Sequence, residues 1–162
     1  MFDKHIVKII LEAVQMLCAA KQILNPATDD GKTKPQEEEK SVKLYKISHK
    51  NHPVSIWVRS SLENYMWTLD LVDAMHDEWK FRYNHPHEKE HKSYVLAKYL
   101  REHSPKPEDF SNRGLLPFAQ AMPDEFKDPD DAVAAYRRYY QSEQKSKLTS
   151  WKKREKPDWF TA

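Results

Sequence analysis

Residues 51–83, NHPVSIWVRSSLENYMWTLDLVDAMHDEWKFRY, decide the fold. Val58, Leu62, Tyr65, Leu69, Val72 and Trp79 recur in alternating steps of four and three, and His76 fills the remaining place. That is the period of one helix face. Pro53 suits a first helical turn, where its missing N–H costs no helical bond, and Asn51 is a candidate cap before it. No Pro or Gly interrupts residues 54–83, so the spacing predicts one continuous helix from Asn51 to Tyr83. A helix of roughly thirty residues is about 45 Å long, enough to cross a small domain. The sequence thus predicts an all-α fold, a single domain over residues 1–162. It is built around one long central helix, with about four helices and a basic aromatic C-terminal tail over 145–162.

Upstream, Ile6, Ile10, Ala13, Leu17, Ala20 and Leu24 repeat at helical spacing, and Ile9, Val14 and Met16 widen the stripe. A first helix over 1–24 follows, with Asp3 as its cap and Asn25-Pro26 as its end. His5, Lys8, Glu12 and Gln15 form a second line, three, four and three apart, stacked along one side. A carboxylate with a Lys and a His one to two turns away is a candidate acid/base group. The other reading is a solvated face on which Lys8 and Glu12 form an i,i+4 ion pair. Residues 27–41 are polar, include Gly31, Pro35 and Glu37 to Glu39, and read as a mobile surface loop. Val42 to Ile47 reads as a short extended piece laid over the core. His49 and His52 precede the long helix and satisfy local hydrogen bonds rather than bind a metal.

Downstream, Asn84-His85-Pro86 breaks the long helix, and His87 to His103 reads as the next one, with Val95–Tyr99 and Leu96–Leu100 as i,i+4 pairs. His85, His87 and His91 are the most metal-like cluster. They have no Cys partner and no fourth ligand, so a solvated helix start is expected and no metal site. Gly114 to Pro123 is apolar but bounded by Gly and Pro. It reads as buried connecting chain whose backbone groups need partners, either lining a pocket or simply packing. Asp124, Glu125, Asp128, Asp130 and Asp131 lack the spacing, the Gly and the distal Glu of a calcium loop. Asp128-Pro129-Asp130 reads as the cap and first turn of a last helix, Ala132 to Gln144, with Val133, Tyr136 and Tyr140 on one face.

Charged residues make up 32% of the chain but the net charge is only +2, so clustering matters more than any global field. From Arg137 to Lys156 there are eight Lys or Arg residues and two acids, Glu143 and Glu155, interleaved with Tyr139, Tyr140 and Trp151 and followed by Trp159 and Phe160. Such a segment can neutralise phosphates and stack on exposed bases. Alternatively it is a solvated helix end with its rings folded back on the core. Two Gly residues argue against a β-rich fold with many tight turns. Cys18 is the single cysteine, which excludes a disulfide within the chain and fits a reducing compartment. No membrane-length apolar run or signal peptide is present, so a cytoplasmic location is expected. No cofactor is expected.

One combination of residues goes further. Asp3-Lys4-His5, Glu12, Asn51-His52-Pro53, Trp57, Glu78-Trp79, Ala121-Met122-Pro123-Asp124 and the closing stretch from Trp151 to Phe160 resemble a group of small phage and viral proteins. That group is in turn similar to the phage pyrimidine-dimer DNA glycosylases with AP-lyase activity. In those enzymes an Asp-x-His on the first helix is followed, seven residues after the His, by the catalytic glutamate. Here His5 plus seven is Glu12. The resemblance implies an all-helical fold, damaged duplex DNA as partner, and the cytoplasm of a host cell as location.

It also implies a chemistry. The α-amine of the chain's first residue attacks the sugar of a damaged nucleotide, a Schiff base forms, the base leaves, and β-elimination cuts the strand. An α-amine has a pKa of about 8, so a useful fraction is neutral at pH 7. The glutamate stabilises the charged intermediate and moves protons. The chain departs from this pattern at its start. In the enzymes a segment before the Asp-x-His delivers the amine, whereas here only Met1 and Phe2 precede Asp3. Met1 stands about three helical turns from Glu12, so the expectation is an internal start with upstream residues or a chain without that nucleophile.

The first reading is therefore a DNA-binding protein of the glycosylase/AP-lyase type, with Glu12, His5 and Lys8 in the catalytic group. Lys50, Arg59, Lys152, Lys153, Arg154 and Trp159 are its candidate DNA contacts. A second is a nucleic-acid or protein-binding module that keeps the fold without the chemistry. A third, a metal-dependent hydrolase using the His cluster, predicts inactivation by a chelator.

Overall fold

The computed structural model describes residues 1–26 and 42–162. Every regular element among them is helical: α1 (Asp3–Leu24), α2 (Pro53–Val58), α3 (Leu62–Tyr83), α4 (Lys92–Glu102), α5 (Ala132–Tyr140) and α6 (Glu143–Ser146), with short 3-10 turns at Pro107–Asp109 and Asp124–Phe126. The all-α expectation holds for these residues. The loop expected at 27–41 lies outside them. Among the described residues no helix is long and apolar enough to cross a membrane.

The core follows from the two apolar stripes. α1 buries Ile6, Ile10, Ala13, Val14, Leu17, Cys18 and Ala20, and packs on α2, α3 and α4. α3 answers with Tyr65, Leu69, Val72, Met75 and Trp79. Trp57 and Val58 of α2, Ala97 and Leu100 of α4, and Phe110 complete one contiguous cluster. Burial pushes the Cys18 thiol up, so it stays a protonated small hydrophobe. Leu44 and Tyr45 of the segment 42–47 do lie against this core, and the Tyr45 carbonyl accepts from Gln22 Nε2 at 2.8 Å.

The continuous helix expected over 51–83 is two helices, α2 and α3. The break needs neither Pro nor Gly. Ser61 is extended (φ −149°, ψ 157°) and its Oγ accepts from the Asn64 N–H, a side-chain cap in place of a helical bond. The carbonyls freed by the break find other donors: Asn64 Nδ2 reaches Trp57 O at 2.8 Å, and the Asn112 N–H reaches Ser60 O at 3.0 Å. The apolar period runs on across the break, so Val58 is still buried with the α3 stripe.

Other boundaries shift for similar reasons. α2 is capped by His52, whose Nδ1 accepts from Val54 N–H, and not by Asn51. α4 begins at Lys92, five residues later than His87, because His91 Nδ1 accepts from the Ser93 N–H and sets the first turn there. α5 stops at Tyr140, short of the expected Gln144, where Ser142 turns extended and starts α6. Asp131 caps α5 through Ala134 N–H, and Asp128 Oδ1 accepts from Asp130 and Asp131 N–H. The acidic patch is thus largely spent on local turns.

The apolar segment 114–123 is irregular and finds the backbone partners it needs. Leu116 N–H donates to Asn64 Oδ1 and Leu116 O accepts from Trp57 Nε1. The Tyr136 hydroxyl donates to Ala119 O and accepts from Ala121 N–H. Phe118 packs on Trp57 and Trp67 at centroid distances of 5.2 and 4.8 Å.

Candidate functional site

The start of α1 is held by its own first helical side chain. Asp3 does not cap α1, since Phe2 occupies that position. It lies buried instead, and its carboxylate accepts from the Ser150 hydroxyl, from the Lys152 N–H at 3.0 and 2.9 Å, and from Arg82 Nη1 at 2.9 Å. Arg82 also donates through Nη1 to Met1 O and through Nε to Glu78 at 2.6 Å. Glu78 takes a two-pronged pair from Arg154, at 2.9 and 2.7 Å. Burial alone would push Asp3 up. The bonds from Ser150, Arg82 and Lys152 override it and hold the carboxyl below its ordinary value. For Glu78 the Arg154 bond is the largest effect, burial opposes it, and with Arg82 the carboxyl falls to about 2. Both acids are ionised throughout the physiological range.

This network fixes the C-terminal segment, which the sequence left either as a contact for phosphates and exposed bases or as a solvated helix end with its rings folded back on the core. It is folded back. Phe160 is 1% exposed and packs on Phe2 and Trp151. Arg154 is occupied by Glu78 and lies 4.3 Å over the Phe81 ring. Trp159 packs on Tyr140 and Phe160 with the Arg137 guanidinium 5.6 Å over its ring. Lys152 and Lys153 stay exposed. Their ammonium groups sit over Tyr83 and Phe81 at 4.6 and 5.2 Å, and Lys153 also reaches Asn84.

The expected acid/base line on α1 lies beside this docked segment. His5 Nδ1 is hydrogen bonded to the Tyr140 hydroxyl at 2.9 Å, which joins residues 135 apart. Burial lowers the His5 pKa first, and the Lys145 and Lys8 ammonium groups lower it further, with Glu12 opposing. The ring is therefore neutral at pH 7 and competent to take a proton. Burial pushes Tyr140 up to about 12, so its hydroxyl stays protonated and serves as a fixed hydrogen-bond partner. Lys8 and Glu12 pair at 3.3 Å in an exposed i,i+4 arrangement. The structure thus brings His5, Lys8 and Glu12 onto one side of α1 and adds Tyr140 and Lys145 to them.

Lys50 and Arg59 lie elsewhere in the bonding pattern. Arg59 Nη1 donates to the Lys50 carbonyl at 2.6 Å, which ties the two ends of α2. No hydrogen bond or ion pair among the described residues links them to His5, Lys8 or Glu12. Two of the three histidines weighed as metal ligands have other side-chain partners: His85 packs on Trp79 at 4.0 Å and His91 caps α4. No group of three or more His, Cys, Asp or Glu side chains among the described residues is placed to hold a metal ion.

Sequence reasoning missed Asp3, Arg82, Tyr140 and Ser150 as organisers of this face. Arg82 carried a signal: a cation three residues beyond the last place of an apolar stripe, one turn after Glu78, is a candidate for an i,i+4 pair. Tyr140 and Ser150 carried none, because their partners lie more than 130 residues away. No protein-family model, curated protein or solved structure matches the chain.

Proposed function

We propose that the chain is a DNA-binding protein of the pyrimidine-dimer glycosylase/AP-lyase type, acting on damaged duplex DNA in a host cytoplasm. One observation carries the reading. The Asp3 anchor draws Ser150 and the Lys152 backbone onto the first turn of α1, the helix that presents His5, Lys8 and Glu12. Exposed Lys152 and Lys153 are thereby seated at the start of the helix that carries the neutral His5 and the Glu12 carboxylate. Lys4, Lys8, Lys152 and Lys153 would neutralise phosphates, with Lys145 nearer His5. Glu12 would stabilise a cationic intermediate formed by an attacking amine, and His5 would move the proton of the departing base. A damaged base is cheaper to unstack, which favours lesions as substrates.

A second reading, a binding module without chemistry, is favoured by a specific feature. The charged partner of Glu12 is Lys8, one turn away on the same helix. Borohydride trapping on duplex DNA with an abasic site separates the two. The catalytic reading expects a covalent protein–DNA adduct that disappears in Glu12→Gln while duplex affinity stays. Binding without an adduct in either protein leaves the module. Neither binding nor adduct removes both.

A further inference from the structure

Two histidines at the corner between α3 and α4 act as hydrogen-bond acceptors in series. Ser93 N–H donates to His91 Nδ1 at 3.2 Å, and His91 N–H donates to His76 Nε2 at 3.2 Å. A ring nitrogen that accepts carries no proton, so this arrangement requires both rings to be neutral. His76 is 2% exposed and lies flat on Tyr94, with ring centroids 3.7 Å apart at 12°. Trp79 flanks the pair, 5.7 Å from His76 and edge-on to His91 at 5.4 Å, and carries His85 at 4.0 Å. His91, Ser93 and Trp79 line an open cleft of about 480 Å³ whose other side is Val7 and Leu11 of α1 with Tyr45.

We propose that the Ser93–His91–His76 relay is an acid-released latch. With both rings neutral it holds residues 85–91 against Trp79 and fixes the first turn of α4. A proton on either accepting nitrogen breaks the relay, frees the corner and uncovers the Trp79 wall of the cleft.

The charges around the rings leave this sign intact. Lys80 and Asp77 act on His76 from α3, and Glu90 and His91 from the corner. From α4, Tyr94 stays neutral because burial raises its pKa, and Lys98 neutralises Glu90 at 2.7 Å. Asp77 and Glu90 favour a charged ring, but burial is the largest effect, Lys80 reinforces it, and His76 falls below its ordinary value. Burial lowers His91 as well. Groups lowered in the folded state leave the latch whole above the unfolded value of about 6.5. Below it the open corner takes protons first, and each such proton favours opening by about tenfold per pH unit until the latched rings titrate.

Amide exchange tests this on the whole chain. Protection factors, corrected for intrinsic rates, are read for the His91 and Ser93 N–H at pH 7 and 5.5, beside the NMR titration of the His76 ring. The latch predicts a fall of about tenfold or more at both amides, with Leu69 and Val72 unchanged, and a His76 ring that titrates below the ordinary value. In His76→Gln the amide oxygen accepts in place of Nε2 and does not titrate, so the pH dependence at His91 should flatten. A His76 ring that titrates at or above about 6.5 with both amides still protected at pH 5.5 overturns the proposal. So does an unchanged pH dependence in His76→Gln. Should that variant not fold, the wild-type ring titration decides alone.

Discussion

Arg82 is buried on one side of α3 as an ion, with Asp3 buried and Glu78 half-buried as its partners, while His76, six residues before Arg82, is buried as a neutral ring. Both clusters hold distant chain to the same two helical turns. The first fastens the C-terminal segment and the start of α1 through Asp3 and Arg154. The second fastens the corner before α4 through His91. The ions survive burial because each has several partners of opposite charge or strong donors, which offsets the loss of water. The rings survive because they are left uncharged and used as acceptors. The first solution tolerates acid well below neutrality; the second does not.

Removing one ion should break the comparison most severely. Arg82→Ala takes donors from Asp3, Glu78 and Met1 O at once and leaves two carboxylates short of partners. It should cost about 3–5 kcal/mol in urea unfolding. A loss under about 1 kcal/mol, the scale of an exposed pair, would show that the cluster is not coupled to folding. Phe160→Ala removes the buried ring that packs beside Trp151 over this anchor. It should cost about 3 kcal/mol and shift tryptophan emission to the red as the segment loosens.

A pH profile of stability then separates the two clusters. Histidines with lowered folded pKa, His76 and His91, contribute fully above their ordinary 6.5 and less as pH falls below it. Glu78, lowered from 4.5 to about 2, contributes fully above 4.5 and is lost as pH falls toward 2. Two limbs are expected in the unfolding midpoint, and His76→Gln should weaken only the upper one. Smaller effects calibrate the scale. Ser61→Ala deletes the neutral cap at the opposite end of α3 and should cost about 1 kcal/mol. Lys8→Ala breaks an exposed i,i+4 pair and should stay within about 0.5 kcal/mol.

The sequence announced what is local and periodic. The stripe from Ile6 to Leu24 became α1, and the stripe from Val58 to Trp79 became the facing core. The break at 59–61 was also local, and its signal was present: Ser61 stands directly before Leu62 as a helix cap should. The uninterrupted apolar period concealed it, because Val58 keeps its place across the kink. The candidate site was legible only as a line on α1. His5, Lys8 and Glu12 do share a side, but the hydroxyl on His5 comes from Tyr140. The anchor that seats Lys152 beside α1 joins residues 149 apart. Pairing at such separation is set by tertiary packing, which periodicity and local spacing do not encode. The basic tail shows the limit plainly: composition marked its cations and rings, yet could not say that Glu78 would take Arg154 while Lys152 and Lys153 pair with no carboxylate among the described residues.

The most direct test of the proposed nucleic-acid face is duplex affinity against salt for the wild type and Lys152→Glu/Lys153→Glu. The anchor at this point runs through the backbone N–H of Lys152, and the two side chains make only exposed contacts to Tyr83, Phe81 and Asn84, so the variant should stay folded, within about 1–2 kcal/mol of the wild type in urea unfolding. The wild type should lose affinity by about a hundredfold or more between roughly 50 and 200 mM salt. The variant should bind more weakly at every salt concentration, with a log–log slope shallower by about two. A folded variant that binds the duplex with unchanged affinity and slope, or a wild type whose binding ignores salt, would contradict the account.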